Sequence, residues 1–345
     1  MKIAIDAMGG DFAPQAPVKG ALLAREKYPD VEIVLVGQES AIQGVLREIG
    51  WPVVPAGITI QNATEVVEIA DDPATAFKKK PDSSLTVGLN LVKNGEADGF
   101  VSAGSTGALL AGATLVVKRI RGLRRAALAP TIPTATGRAV LLDCGANAEC
   151  SVEYLLQFAY LGSYYASKVL GVDKPRVGLL NIGAEEEKGD TLRKETYQKL
   201  KEAGERGELV FTGNVEAKEA MLGQCDVIVA DGFSGNVMLK SVEGAGKLMS
   251  GMLKGMLLKS VGTKVAALLL KGGLKDFKKT LDPNEVGGTA LLGISKPVIK
   301  AHGSSNEVAF CNAVRQAVEV ARSGIADDIA RDIDKMRLDR NEKAE

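Results

Sequence analysis

The sequence predicts an α/β protein: a mainly parallel sheet with helices on both faces, a three-layer α/β/α sandwich. Three observations carry this expectation. Short β-rich runs alternate with longer stretches of helical period. The runs are apolar almost throughout, as strands covered on both faces require, where a half-solvated strand would alternate. Glycine is enriched, with 39 copies in 345 residues against a typical ~7 %, and much of it follows those runs, where turns are needed.

In chain order the strands are KIAID (2–6), EIVLVG (32–37), GFVSA (99–103), AVLLD (139–143), RVGLLNIG (176–183), ELVFTG (208–213), DVIVADG (226–232) and PVIKAHG (297–303). Helical patterns fall at 14–28 and from about 39, 106, 151 and 190. Residues 57–82 hold weak strands and most of the polar stretch DDPATAFKKKPDSS, which reads as a surface excursion. No Pro/Ser-rich linker interrupts the series, so one large domain over 1–335 is expected, with a charged tail at 336–345. Ligands of such sheets sit outside the carboxyl ends of the strands.

Composition removes several functions. Lys plus Arg equals Asp plus Glu at 43 each, so no net field recruits nucleic acid. Cys144, Cys150, Cys225 and Cys311 form no pattern, His302 is the only histidine, and neither a metal site nor a cofactor is expected. No long apolar segment reads as a signal or a membrane span, which points to a cytosolic protein. GGDFAP is not GxGxxG, GAGKLM lacks what a phosphate-binding P-loop needs, and no GxSxG elbow is present.

Five strand ends carry small and polar residues where a core would want bulk. In DAMGGDFAP (6–14), Gly9 and Gly10 allow backbone to approach a ligand that Asp6 and Asp11 would orient; a tight turn with an aspartate capping a helix near Pro14 explains them equally. In SAGSTGA (102–108), Ser102, Gly104, Ser105, Thr106 and Gly107 suit an anion at a helix start, or Ser105 simply caps the helix. DCGANAE (143–149) and DGFSGNVMLK (231–240) repeat a strand-terminal Asp, then Gly, then Asn: Asp143, Gly145, Asn147 and Asp231, Gly232, Asn236. An Asn amide orients a carbonyl or phosphate without adding charge, or serves a turn. In AHGSSNE (301–307), Ser304 and Glu307 fit a capping box and leave His302 unexplained, with Lys300 nearby. Lys188, in NIGAEEEKGD (181–190) after three glutamates that read as a helical first turn, is a further candidate anion ligand. Cys144 reads as an inert buried thiol or an acyl acceptor.

DAMGGDFAP, SAGSTGA, DCGANAE, LLNIGAEEEKG, FTGNVE, DVIVADGFSGNVMLK and PVIKAHGSS, in this order, resemble the bacterial phosphate acyltransferase family over residues 1 to about 322. The resemblance implies a fold related to phosphotransacetylases and to isocitrate and isopropylmalate dehydrogenases, and a homodimer. It implies that inorganic phosphate takes the fatty acyl group of acyl carrier protein. The acyl phosphate then goes to a membrane acyltransferase that acylates glycerol 3-phosphate. That chemistry assigns Ser105, Thr106 and Lys188 to phosphate, Asn147 and Asn236 to the carbonyl, and His302 to proton donation at sulfur or to an anion. Asp6, Gly9, Gly10, Asp11, Asp143, Gly145, Asp231 and Gly232 would complete substrate binding. The rival expectations are a short-chain phosphotransacetylase using an acyl-CoA, a metal-dependent decarboxylating dehydrogenase, and a non-catalytic membrane scaffold.

Residues 244–280 carry eight lysines and one acid, Asp276, among leucines, methionines and valines at helical spacing. They are expected to form a helical protrusion that serves dimerisation, an anionic membrane surface through Leu253, Leu257, Leu258, Val261, Leu268 and Leu269, or both. Peripheral association would hand a poorly soluble product to its membrane enzyme.

Overall fold

Ile3, Ala4 and Ile5 are wholly buried, because both faces of the first strand are covered. The structure is a computed structural model that describes residues 1–338; residues 339–345, most of the expected charged tail, lie outside the described residues. Its strands are β1 (Lys2–Asp6), β2 (Glu32–Gly37), β3 (Ile58–Asn62), β4 (Gly99–Ser102), β5 (Ala127–Ala129), β6 (Thr131–Thr134), β7 (Gly137–Leu142), β8 (Arg176–Leu180), β9 (Val210–Val215), β10 (Val227–Val229), β11 (Gly288–Leu292) and β12 (Val298–Ala301). They form two sheets, ordered β3-β2-β1-β4-β12-β11-β5 and β6-β7-β10-β8-β9. Both are mainly parallel, with antiparallel pairing confined to β12-β11-β5 and β6-β7.

The single sheet that strand counting suggests is divided at residues 127–134. Pro130 has no N–H to donate, so the extended run splits there. Ala127–Ala129 pairs with β11, Thr131–Thr134 pairs with β7, and the Pro130 carbonyl accepts from Leu141 N at 3.0 Å. The two sheets nevertheless act as one layer. Ile3, Ile5, Val140, Leu142, Val227 and Val229 face one apolar core, while Ala4, Phe100, Leu141 and Ile228 face the other, as the two-residue alternation of a strand dictates. This is the predicted α/β/α layering.

The α-helices of seven or more residues are α1 (Gln15–Lys27), α2 (Glu39–Glu48), α3 (Ser84–Lys93), α4 (Thr106–Gly112), α5 (Val152–Lys168), α6 (Thr191–Glu205), α7 (Gly232–Leu257), α8 (Val261–Leu269), α9 (Lys271–Leu281), α10 (Glu307–Ser323) and α11 (Ile325–Arg331). Helices α1 and α10 cross closely: a Cβ on Gly20 would lie 2.4 Å from that of Phe310, so only glycine fits. Strands β5, β6 and β11 and helices α3 and α11 escaped the sequence pattern. The excursion at 63–82 is tied down by the Lys80 ammonium, which bonds Asp71 at 2.6 Å and the Val66 carbonyl at 2.8 Å.

Three expected helix starts differ. Pro14 precedes α1 with no side-chain cap, so Asp11 is free of that duty. Asn306, not Ser304, caps α10 through Ala309 N. Asp190 caps α6, which leaves Glu185–Glu187 in the preceding loop instead of its first turn. Helix α7 is anchored only at its start, by buried Gly232, Gly235 and Met238. Beyond it, no described residue from 241 to 286 is buried.

Candidate active site

Strands β1, β4 and β12 are neighbours, so three of the five polar strand ends meet at one edge. Asp6 is buried there and accepts from Ser102 Oγ at 2.7 Å, while Ser102 Oγ accepts from Gly104 N at 3.1 Å. Burial raises the Asp6 pKa against the hydrogen bonds from Ser102 and Ser84. A Cβ on Gly9 would come within 2.5 Å of the Asp6 carboxylate and 2.7 Å of Gly104 N. Gly10 is left-handed (φ +102°), with the Ala103 Cβ 2.9 Å from where a Cβ would be. Asp11 N donates to the Gly303 carbonyl at 2.8 Å. This turn therefore braces the loops after β4 and β12. Asp6, Gly9, Gly10, Ser102 and Gly104 hold the site's frame and do not line its cavity, a correction to their expected ligand roles.

Strands β7 and β10 are likewise adjacent, and their loops are locked together. The Asp143 carboxylate accepts from the N–H groups of Leu128 (2.9 Å), Cys144 (2.7 Å) and Asn147 (2.6 Å), although burial raises its pKa. The Asn147 side chain spends its donors on Ala126 O at 2.8 Å and Asp143 at 3.1 Å. Gly232 N donates to Asn147 O at 2.8 Å, and a Cβ on Gly235 would sit 2.0 Å from Asp143 O. Asp231 caps α7 through Ser234 N at 2.9 Å and pairs with Arg193. Burial works to raise its pKa, but Ser234 and Arg193 outweigh it and hold the carboxylate ionised. Asp143, Asn147, Asp231 and Gly232 are thus braces, and Asn147 has no donor left for a carbonyl.

Between these two frameworks lies a cavity of about 410 Å³. Four of the five motifs reach it: Thr106 at the start of α4, Gly145 and Cys144 after β7, Asn236 on α7, and Lys300 to Gly303 at the end of β12. Among the described residues the Asn236 amide has no hydrogen-bond partner. His302 Nδ1 accepts from the backbone N–H of Ser304 at 3.2 Å and lies 2.8 Å from its hydroxyl. A backbone amide can only donate, so this bond assigns the ring proton to Nε2. Burial lowers the His302 pKa, with Lys240, Lys300 and Lys247 adding to the effect, and the neutral Nε2–H donor is the form at pH 7.

Lys300 contributes the most perturbed cation. Burial lowers its pKa to about 8, opposed by Asp6 and Asp11, and its ammonium bonds the carbonyls of Ala103 (3.4 Å) and Ala301. Lys240, paired with Glu243 at 2.8 Å, and Lys247 add charge from α7. Sequence reasoning missed Lys240, Glu243 and Lys247 as site residues, yet a signal existed. With Asn236 they stand at i, i+4, i+7 and i+11, one face of one helix.

The remaining expectations separate. Ser105 caps α4 by accepting from Ala108 N at 3.4 Å, and Gly107 packs on Pro73, so only Thr106 of that motif reaches the cavity. Lys188 is exposed on the loop after β8 and lies outside the cavity, because its loop hangs from the far side of β10. Cys144 lines the cavity, but burial pushes its thiol well above the usual range, with Asp143 adding to this, so it carries no thiolate at neutral pH. Of the six expected lipid contacts, Val261, Leu268 and Leu269 are 80 %, 70 % and 84 % exposed. Leu253 and Leu257 are half-buried and line a second, apolar groove, whose lining Leu258 joins while staying 53 % exposed.

This fold is the phosphotransacetylase fold. The structure superposes on the EutD phosphotransacetylase from Staphylococcus aureus with a TM-score of 0.58 at 17 % identity, covering 94 % of each chain. It superposes on a phosphotransacetylase from Streptococcus pyogenes at 0.57 and 21 % identity, again covering 94 % of each. A family model described as "Fatty acid synthesis protein" matches residues 1–328. The chain is 47 % identical over 336 residues to "Phosphate acyltransferase" of Thermoanaerobacter pseudethanolicus, covering 97 % of this chain and 98 % of that one. It is 49 % identical over 330 residues to the protein of that name from Alkaliphilus oremlandii, covering 96 % of each. The chain belongs to the phosphate acyltransferase family, and it is an enzyme.

Proposed function

We propose that this enzyme moves the acyl group of an acyl-carrier-protein thioester onto inorganic phosphate, and that the acyl phosphate feeds acylation of glycerol 3-phosphate. The observation that carries the reading is what converges on the cavity: lysines and a threonine for an anion, two neutral N–H donors for an oxyanion, and a thiol that burial keeps protonated. Inorganic phosphate loses its second proton near neutral pH, so a large share is already the dianion at pH 7 and needs no general base. Held by Lys300, Lys240 and Thr106, one phosphate oxygen attacks the thioester carbon. The carbonyl electrons move onto oxygen, where Asn236 Nδ2–H and His302 Nε2–H stabilise the charge. Collapse breaks the C–S bond and expels the carrier's thiolate, a good leaving group with a pKa near ~8.5, which then takes a proton from water. The acyl group passes directly to phosphate, with no acyl-enzyme on Cys144.

The relatives' shared name supports a phosphate acceptor and an acyl donor. Acyl-CoA of short chain is the competing donor, and an apolar groove opening from the cavity favours a long one. The test is phosphate-dependent loss of acyl-carrier thioester by the purified protein, with acyl phosphate trapped as its hydroxamate. Consumption of acetyl-CoA with the carrier thioester left intact would reject the reading. The exposed apolar face of α7 and α8, set among lysines, further supports reversible contact with anionic lipid, where the product is handed on.

A further inference from the structure

The reaction cavity does not end at His302. A groove of about 770 Å³ runs on from it between α7, α8 and α9, and the two share Glu243, Gly246, Lys247, Asp282, Gly287 and His302. The projecting part of α7 is half-buried only at Val242, Glu243, Gly246, Ser250, Leu253 and Leu257, a spacing of three and four that makes one inward stripe. Along it the side chains change from polar and small near His302 to leucine at the far end. Ala267 of α8 and Leu274 of α9, each half-buried, face the same groove with Phe277.

We propose that this groove is the channel for the substrate's fatty acyl chain, so that the helical projection measures chain length. The proposal rests on the phosphate acyltransfer reading above. Three features fix the occupant. The groove is continuous with the reacting end. The stripe from Gly246 to Leu257 spans about 17 Å at the helical rise per residue, the reach of a long chain and far beyond an acetyl group. Its lining also carries Lys247, Lys254 and Lys278, whose aliphatic stems can cover an apolar chain while their ammonium groups stay in water. In addition, Ser305 Oγ at the groove's inner end is buried with no hydrogen-bond partner among the described residues. The same helices therefore present two apolar faces: an inner one for the chain and an outer one bearing Leu248, Met252, Val265 and Leu268.

The test fills the groove from opposite sides with Leu253→Trp and Ala267→Trp. Acyl phosphate formation is measured with hexadecanoyl and butanoyl thioesters of the carrier protein. The ratio of kcat/KM for hexadecanoyl over butanoyl is expected to fall about tenfold or more in each variant, since every methylene displaced from apolar surroundings is worth roughly fourfold. A second measurement needs no turnover: calorimetric binding of hexadecyl phosphate against ethyl phosphate, below micellar concentrations, should lose the same selectivity. An unchanged ratio together with unchanged hexadecyl phosphate affinity in both variants overturns the channel and puts the chain elsewhere. If the wild-type protein turns over neither thioester, the proposed reaction fails instead, and hexadecyl phosphate binding still decides the groove.

Discussion

Lys300 and His302 sit two residues apart, and one strand end gives them opposite tasks. An anion beside Lys300 restores the charge that burial opposes, so its pKa rises from about 8 when phosphate binds. Phosphate binding at pH 8.5 should therefore take up protons. Calorimetry in two buffers of different ionisation enthalpy would detect this, and Lys300→Met should remove it. The sign for folding follows from the same shift. Between pH 8 and the ordinary lysine value of 10.5 the unfolded chain holds more protons than the folded one, so stability without phosphate should rise with pH across that window. His302 works through Nε2–H while Ser304 N occupies Nδ1. We expect His302→Ala and Asn236→Ala each to lower kcat by about 10²–10³ in folded protein, the usual loss of one oxyanion donor; full rates in both would remove the oxyanion assignment. Lys188→Ala should leave kcat/KM for acyl phosphate formation unchanged, since that side chain stands outside the cavity.

At the scale of elements, the polar strand ends divide into braces and contacts. Asp6, Asp143 and Asp231 share a strand-terminal position with the proposed ligands, and residue order alone does not rank them. Asp6 is consumed by the Ser102 hydroxyl that the pairing of β1 with β4 brings within reach, Asp143 by N–H groups of its own loop and of Leu128, and Asp231 by its own helix start and the Arg193 guanidinium. Gly235 tests this locking. A Cβ there meets Asp143 O at 2.0 Å, so Gly235→Ala should destabilise the protein by about 1–3 kcal/mol. Thermal melting would register that as a clear fall in Tm. The α7 face was readable in advance, because Asn236, Lys240, Glu243 and Lys247 follow helical spacing. Lys300 was readable only as a neighbour of the histidine, since its burial comes from loops distant in sequence.

For the whole molecule, the projection built from α7, α8 and α9 joins the catalytic layer to the surface. Among the described residues no helix is long and apolar enough to cross a membrane, so lipid contact would rest on the outer face and its lysines, each worth roughly 1 kcal/mol near an anionic surface. Val265→Glu with Leu268→Glu should lower co-sedimentation with anionic vesicles without lowering acyl phosphate formation in solution. Raised salt should do the same to the wild-type protein. Unaltered sedimentation would assign that face to another partner. The α/β class, the strand order along the chain, the five polar strand ends and the basic helical segment were all legible in the sequence, because each rests on local periodicity or on residues a core rejects. The division into two sheets at Pro130, the burial that tunes Lys300 and the inward turn of Leu253 and Leu257 were decided by tertiary structure alone. Each depends on which distant segment lies opposite, and residue order specifies that only through the packed fold.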